Sequence, residues 1–308
     1  MLKKTTYNAN LNCFDNVIAT IAKNEGLEFQ LCLNTAWNFS FKTNATTIGN
    51  GINISNSIDF NILSNIHHLD VLHINKRFSI NFLKELFVKE KYICPNIDTF
   101  YCYWDKCYNM HHNTHTIIIE KIDYIHNKIY ISDPFYNIFF KELSFEIYNQ
   151  MIKEDGFICS RNYIKYNISN DEIKKLILNR MYSLKNEILK IVLLSEAFDN
   201  IDISKEIGDL TNVWHTKLVY NFGRISLSRL RYCEMLIYIK KLYNLNLHSI
   251  INDLKTVSGK WKNLQYILAK MLLKKDAGDV KYIKKTISNI MSIENNVCTE
   301  IISLMEYK

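Results

Sequence analysis

The chain of 308 residues is 48% hydrophobic and 22% charged, which is enough apolar material for one large domain or two ordinary ones. With 2 prolines and 8 glycines, long flexible linkers and low-complexity architectures are excluded. The net charge of +7 is moderate and the lysines are spread out. We therefore expect no nucleic-acid binding, although a weakly basic protein suits an acidic partner.

Two further features concern the compartment. The first residues, MLKKTTYNANLN, lack the apolar core of a secretion signal, and no apolar run reaches the roughly 18 residues that a membrane span needs. The 8 cysteines are scattered. Without a secretion signal, this pattern favours free thiols over a disulfide framework. We expect a soluble, cytoplasmic protein without membrane association.

The stretch after Asn12 predicts a helix that begins at Cys13. Asn12 is a good N-cap residue, and the negative charge of Asp15 suits the positive end of the helix dipole. Apolar residues then recur at helical spacing until Gly26, which is a common helix stop. Unpaired N–H groups and the dipole at a helix start favour the thiolate form of a cysteine. Cys13 is therefore a candidate nucleophile.

The segment between this helix and residue 104 is more mixed. Residues 29–41 predict an aromatic-rich helix and strand, and residues 43–57 form a polar loop. This loop either shapes a substrate cleft or is an ordinary surface loop. A short strand is predicted at 71–74, a helix after Ser79, and extended segments at 92–94 and 99–104.

His115 and Asp133 flank a predicted β-hairpin. His115 precedes an apolar run over 116–122, and a second run over 128–132 ends at Asp133. Two strands joined by so short a turn pair antiparallel, which brings both residues to the open end of the hairpin. Cys, His and Asp in this order are typical of a papain-like triad, in which the Asp orients the His and the His exchanges protons with the sulfur.

Beyond residue 165 the pattern is helical. Apolar residues recur at spacings of three and four over 173–191, and segments 204–245, 250–275 and 280–305 continue in that style. Four glycines are predicted as breaks: Gly208, Gly223, Gly259 and Gly278. The sequence thus predicts an α+β catalytic domain over residues 1–165, with an N-terminal helix and an antiparallel sheet, and an all-α helical bundle over 166–308.

The other predicted site residues follow from the needs of a thiol enzyme. The backbone N–H of Cys13 supplies one oxyanion donor. Papain-type enzymes usually place a glutamine about six residues upstream, but that place holds Tyr7. Asn8 or Asn10 is expected to substitute. Five aromatic residues either line a substrate cleft or simply pack in the core: Trp37, Phe39, Tyr101, Tyr103 and Trp104. Asp98 or Asp105 is expected to bind the ammonium form of an amine substrate.

A zinc site is the rival chemistry for the middle of the chain. Cysteine and histidine are concentrated at Cys102, Cys107, His111, His112 and His115. Tetrahedral zinc prefers sulfur and nitrogen ligands. The spacing of the two cysteines, followed by an adjacent histidine pair, matches no common zinc motif. We therefore predict neither a metal site nor a bound cofactor.

Four short motifs together resemble the BtrH-type N-terminal domain of butirosin biosynthesis. They are NCFDN at Cys13, IDTFYCYW at 97–104, the HNTH of 112–115 before an apolar run, and the SDP of 132–134. The resemblance covers roughly residues 8–160, and the helical C-terminal half is consistent with the family's companion region. It implies a papain-like cysteine protease fold used for acyl transfer, with Cys13, His115 and Asp133 as the triad.

The resemblance also implies a reaction. Such proteins take an acyl or peptidyl chain from the phosphopantetheine thioester of a carrier protein and pass it to a small amine or diamine, in the biosynthesis of nonribosomal-peptide-like antibiotics. No ATP or metal is needed, because a thioester is already activated. Two alternatives stay open: a cytoplasmic papain-like cysteine peptidase or amidase with the same triad, and a non-catalytic helical scaffold with a buried Cys13. Whether the bundle binds the carrier or forms a homodimer is also open.

Overall fold

A computed structural model of the protein describes residues 2–55, 58–88, 90–164, 169–208 and 212–307. The helices are α1 (Cys13–Glu25), α2 (Ile48–Gly51), α3 (Phe60–Asn65), α4 (Ile80–Leu86), α5 (Phe145–Met151), α6 (Asn170–Leu189), α7 (Ile191–Ala197), α8 (Ile203–Ile207), α9 (Lys217–Tyr243), α10 (His248–Lys274) and α11 (Val280–Glu306). The strands are β1 (Ser40–Phe41), β2 (Ile52–Asn53), β3 (Leu69–Ile74), β4 (Tyr92–Asp98), β5 (Thr114–Thr116), β6 (Ile118–Asp123), β7 (Lys128–Asp133), β8 (Ile138–Ser144) and β9 (Ile152–Arg161).

The larger sheet is antiparallel. Its strand order is β3-β9-β4-β6-β7-β8, and β5 pairs with β4 beyond that path. The predicted hairpin is formed by β6 and β7, in which Ile118 pairs with Ser132 and Asp123 with Lys128. The predicted α+β class, with an antiparallel sheet and a C-terminal helical region, is confirmed.

One face of this sheet supports the main core. Alternate residues of adjacent strands, such as Ile129, Ile131 and Ile119, are buried there, as the period of two in a strand requires. Helices α4 and α5 contribute Leu83 and Met151 to the same cluster. Removing each such aliphatic side chain from water stabilises the fold by about 1.5–3 kcal/mol. The site-bearing hairpin is therefore held on a packed, rigid sheet.

The chain divides into two compact units. The first comprises Met1–Phe29 and Phe60–Asn167, and the second comprises Gln30–Asp59 and Ile168–Lys308. The sequence placed residues 30–59 with the catalytic domain, whereas they group with the helical region. The reason is side-chain bonding: Asn221 of α9 donates to the carbonyl oxygen of Gly49 at 3.0 Å. Such contacts leave no trace in local periodicity. The predicted boundary at residues 165 and 166 lies outside the described residues.

The second unit contains the long helices α9, α10 and α11. Their buried stripe includes a charged pair, in which Arg229 Nε donates to Glu294 Oε1 at 2.8 Å and Nη2 donates to Oε2 at 3.0 Å. Both side chains are fully buried, so each charge depends on the other for its stability. Among the described helices, none combines the length and the apolar composition that a membrane crossing requires.

Some local predictions need correction. Gly223 and Gly259 do not break helices but lie inside α9 and α10. A Cβ at Gly223 would lie 2.5 Å from the Gln265 side-chain nitrogen, so glycine permits the close approach of α9 and α10. Residues 99–101 form a 3₁₀ turn capped by Asp98 rather than an extended segment. The polar loop of 43–57 contains α2 and β2, and its residues 56 and 57 lie outside the described part.

Candidate active site

Cys13 is the first residue of α1. The Asn12 side chain accepts the N–H of Asp15 at 2.8 Å, and the Asp15 carboxylate accepts the N–H of Asn12 at 3.3 Å, which completes a capping box. The helix ends at Gly26, whose φ of 70° is the left-handed conformation expected of a helix stop. The predicted helix is confirmed at both ends. The side chain of Cys13 is partly exposed, at a position where the backbone N–H groups have no intrahelical partners.

The loop before Cys13 is fixed by a buried amide. Asn16 Nδ2 donates to the carbonyl oxygens of Asn8, Leu11 and Asn12 at 3.1, 3.1 and 2.9 Å. Asn16 Oδ1 accepts the N–H of Asn8 at 2.8 Å. One side chain on α1 therefore sets the path of the whole loop. The sequence analysis missed Asn16, although a polar residue on the apolar stripe of a helix is a usable signal.

His115 and Asp133 meet as predicted, but the predicted strand over 116–122 is divided into β5, which pairs with β4, and β6, which forms the hairpin with β7. His115 lies in β5 opposite Ile97 of β4, and Asp133 is the last residue of β7. His115 Nε2 lies 2.8 Å from Asp133 Oδ2. Their side chains are 4% and 0% exposed, so water does not compete for this bond.

The Asp133 carboxylate has a complete set of partners. Besides His115, Oδ2 accepts the indole N–H of Trp104 at 2.8 Å. Oδ1 accepts the backbone N–H groups of Phe135 and Tyr136 at 3.1 and 3.3 Å. A buried carboxylate without such donors would be destabilising. Asp133 therefore serves as a fixed, charged support for the imidazole.

The protonation state of His115 follows from its surroundings. Burial lowers the pKa of the imidazolium, but hydrogen bonds with Asp133 and Cys13, together with the charges of both groups, raise it to about 10. The ring is therefore protonated at neutral pH. Because Nε2 is bonded to Asp133, Nδ1 is the nitrogen left for the Cys13 sulfur. An imidazolium beside the sulfur stabilises a thiolate.

Aromatic rings enclose the imidazole. The ring centroids of Phe135 and Tyr136 lie 5.7 and 5.6 Å from that of His115, and Tyr7 packs edge-on against Phe135 at 6.2 Å. Phe135 and Tyr136 belong to the 3₁₀ turn Pro134–Tyr136, directly after Asp133. The sequence analysis did not identify either ring as part of the site. Their position directly after the Asp133-Pro134 pair could have indicated that they lie close to the site.

The acids expected to hold an ammonium are engaged elsewhere. Asp98 accepts the N–H of Phe100 at 3.0 Å and bonds His112 Nδ1 at 2.7 Å. Asp105 accepts the N–H of Cys107 at 2.7 Å and the hydroxyl of Tyr136 at 2.9 Å. Because both carboxylates already bind groups of this chain, the geometry does not favour either as an ammonium site.

The predicted aromatic pocket residues divide into two groups. Trp104 reaches the site through Asp133, and Tyr103 packs edge-on against Trp104 at 4.9 Å. Tyr101 is 41% exposed and packs with Phe100. Trp37 belongs to the second unit, where it is fully buried and donates its indole N–H to Glu294 at 3.3 Å.

Phe39 is likewise in the second unit, 2% exposed, and its N–H donates to Glu187 at 3.2 Å. Trp37 and Phe39 therefore pack in the core, which is one of the two alternatives that the sequence left open. Asn8 and Asn10 both precede the nucleophile in the chain. The N–H of Asn10 donates to Asn8 Oδ1 at 2.9 Å, which leaves the Asn8 amide nitrogen available as a donor.

The two cysteines of the alternative zinc site differ in burial. Cys102 is fully buried in the main core, and burial raises its pKa to about 12. Cys107 is partly exposed and its sulfur accepts from Asn113 Nδ2 at 3.5 Å. In the described part of the chain, no three His, Cys, Asp or Glu side chains are grouped as metal ligands.

Comparison with protein-family models and with curated proteins gives no match. The functional argument therefore depends on the geometry of the site. A partly exposed thiol at a helix start, a buried imidazolium and an orienting carboxylate are the components of nucleophilic acyl transfer.

Proposed function

We propose that the protein is a cysteine-dependent acyltransferase that forms an amide from a carrier-bound thioester and an amine. The observation that supports this most is the buried hydrogen bond between His115 and Asp133, together with the interaction of the same imidazole with Cys13 at the start of α1. Such an arrangement activates a thiol by holding a cation beside it and a carboxylate behind that cation.

The residues account for each proton in the reaction. The Cys13 thiolate attacks the thioester carbonyl, the bond between carbonyl carbon and pantetheine sulfur breaks, and the leaving thiolate takes a proton from His115. A neutral amine then attacks acyl-Cys13. His115 accepts a proton from the nitrogen as the Cys13 thiolate leaves, so the amide is released and the starting ion pair returns. Neither ATP nor a metal takes part, because the thioester supplies the activation.

The tetrahedral intermediate needs oxyanion donors. The N–H of Cys13 is one, because the first residues of a helix have no intrahelical acceptor. Asn8 is the proposed second donor: its Oδ1 is occupied by Asn10, which orients the amide nitrogen, and Asn16 fixes the backbone on either side. Asn8 thereby takes the part of the glutamine that papain-type enzymes have upstream.

The papain-like assignment of the first unit is part of the same proposal. It is supported by a nucleophile at a helix start, with its histidine and aspartate on an antiparallel sheet, and by the resemblance of the motifs to BtrH-type domains. Within that family, the amide synthetase of closthioamide assembly is the relative that the sequence suggests. On this reading the acyl donor is a carrier-protein phosphopantetheine thioester and the acceptor is a small amine.

A direct assay tests the proposal. Acetyl-, hexanoyl- and benzoyl-phosphopantetheine are incubated with the protein and 1,3-diaminopropane, and amide products and acyl-protein are measured by mass spectrometry. We expect an acyl adduct on Cys13 and amide formation, both absent in Cys13→Ala. Hydrolysis of a fluorogenic peptide without any acyl adduct from these donors would instead support a peptidase. The absence of both an acyl adduct and peptide hydrolysis would contradict the proposal that the protein is an enzyme.

A further inference from the structure

A chain of polar side chains crosses three strands of the first unit beside the triad. Thr116 Oγ1 donates to Asn96 Oδ1 at 2.8 Å, and Asn96 Nδ2 donates to Asp155 Oδ2 at 2.7 Å. The three residues belong to β5, β4 and β9. Thr116 directly follows His115 in β5, so one end of this chain lies in the strand that carries the imidazole.

The other end lies under the first turn of α1. Phe157 follows Asp155 by two positions on β9, so both side chains point to the same face of the sheet. The Phe157 ring packs against that of Phe14 with centroids 4.7 Å apart, and Phe14 follows Cys13. Two consecutive residues of α1 thus contact the sheet: Cys13 interacts with His115, and Phe14 packs on Phe157. The Thr116–Asn96–Asp155 chain lies in the strands between these two contacts.

Asp155 differs from the other acids near the site. Asp98 and Asp105 each bind two groups of this chain, whereas Asp155 has one described partner, the neutral amide of Asn96. Within the described residues no lysine, arginine or histidine forms an ion pair with it. Its side chain is partly exposed, and Asn96 fixes its orientation. Lys153, two positions before it on β9, donates to Thr114 Oγ1 at 2.9 Å and is not among the described ion pairs of Asp155. Asp155 therefore presents an oriented negative charge that no described ion pair neutralises.

We propose that Asp155 is a specificity-determining residue that binds a positively charged group of the acceptor, separate from the amine that attacks acyl-Cys13. This inference rests on the proposed function for the identity of the ligand. The attacking nitrogen must be neutral, so the charge of Asp155 attracts an acceptor through a second, cationic group. Binding that group orients the reactive amine and raises its local concentration.

The charge can be tested without any turnover. Cys13 is modified with a cationic methanethiosulfonate, the trimethylammonioethyl reagent, and with the neutral methyl reagent, and the ratio of the two rates is taken. Asp155→Asn keeps an oxygen for Asn96 but removes the charge, so we expect the ratio to fall about threefold or more. Glu154→Gln is the matched control, because that exposed neighbour pairs with Arg77. An unchanged ratio in Asp155→Asn, or an equal fall in Glu154→Gln, would overturn the proposal.

A second measurement concerns the acceptor. With hexanoyl-phosphopantetheine as donor, amide formation from 1,3-diaminopropane and from neutral-tailed 3-methoxypropylamine is compared. Asp155→Asn should lose selectivity for the diamine through the KM of the acceptor. Equal selectivity in both proteins would reject the assignment of Asp155 even if the enzyme makes amides. Failure to form amide, with the reagent ratio still dependent on Asp155, would reject the proposed function and leave the cation subsite intact.

Discussion

Trp104 donates its indole N–H to the same oxygen of Asp133, Oδ2, that bonds His115 Nε2, and both distances are 2.8 Å. The opposite oxygen is held by two backbone N–H groups of the following turn. The carboxylate therefore cannot rotate without losing a bond on each side. Trp104 acts on the imidazole through Asp133, so it is a positioning residue.

Trp104→Phe tests this relationship. The variant keeps a ring in the same place but removes the donor, so Asp133 orients His115 less firmly. We expect alkylation of Cys13 by iodoacetamide at neutral pH to slow by about threefold to tenfold, with the circular dichroism spectrum unchanged. Tyr103→Phe, which changes the neighbouring exposed ring by one hydroxyl, should react like wild type. A wild-type rate in Trp104→Phe would show that the indole bond does not support the site.

Asp133→Asn should change the pH dependence of acylation. The pKa of His115 is raised to about 10, so the imidazolium that protonates the leaving thiol is lost as pH rises through that value. Removing the negative charge of Asp133 lowers the pKa of His115, and the alkaline fall in rate moves to lower pH. The measurement is the initial rate of acyl-Cys13 formation between about pH 6 and pH 10.5. Asp123→Asn, which removes the carboxylate partner of the exposed His126, should leave the profile in place.

Asn16→Ala should destabilise the first unit. Asn16 is fully buried and its side chain makes four bonds to the loop of residues 8–12. Leaving those backbone groups unpaired costs about 2–4 kcal/mol of unfolding free energy. Urea denaturation measures the loss, and Lys23→Ala on the exposed side of the same helix should stay within about 0.5 kcal/mol of wild type. Equal stability in the two variants would contradict the conclusion that the Asn16 side chain stabilises the loop of residues 8–12.

Arg229 and Glu294 should show strong coupling in the second unit. Arg229→Met leaves a buried carboxylate, and Glu294→Gln leaves a buried guanidinium, so each single change should cost about 3–5 kcal/mol. The double variant removes both charges, and the single amide oxygen of Gln can still accept from one of the two indole N–H groups, that of Trp37 or that of Trp261. We expect the double variant to be more stable than the sum of the single losses predicts. If chemical denaturation shows that the losses of unfolding free energy are additive, the two residues are not coupled.

The triad was accessible from sequence because it is specified locally. Asn12, Asp15 and Gly26 define both ends of α1, so the position of Cys13 at the helix start follows from residues within one segment. Likewise, a short turn between two apolar runs fixes the hairpin and brings His115 and Asp133 to one end. The convergence of α1 with this hairpin was an extrapolation from residue order, and it agrees with the interaction of Cys13 with His115 that raises the pKa of the imidazole.

The surroundings of the triad were not accessible in this way. The Trp104–Asp133 bond and the Asn96–Asp155 bond join segments far apart in the chain, and neither has a periodic signature. Trp37 was misplaced for the same reason, since its indole N–H binds Glu294 across most of the chain length. The sequence locates side chains within an element, whereas tertiary hydrogen bonding decides which carboxylates are occupied and which are available.

The most direct test of the account is the alkylation rate of each of the 8 cysteines by iodoacetamide at neutral pH, mapped by peptide mass spectrometry. Cys107 is the internal comparison, because it is partly exposed like Cys13 but its pKa is raised by burial and by Asp105. We predict that Cys13 reacts at least about tenfold faster than Cys107, and that His115→Ala abolishes the difference. A Cys13 that reacts no faster than Cys107, or as fast without His115, would contradict an activated nucleophile at the start of α1.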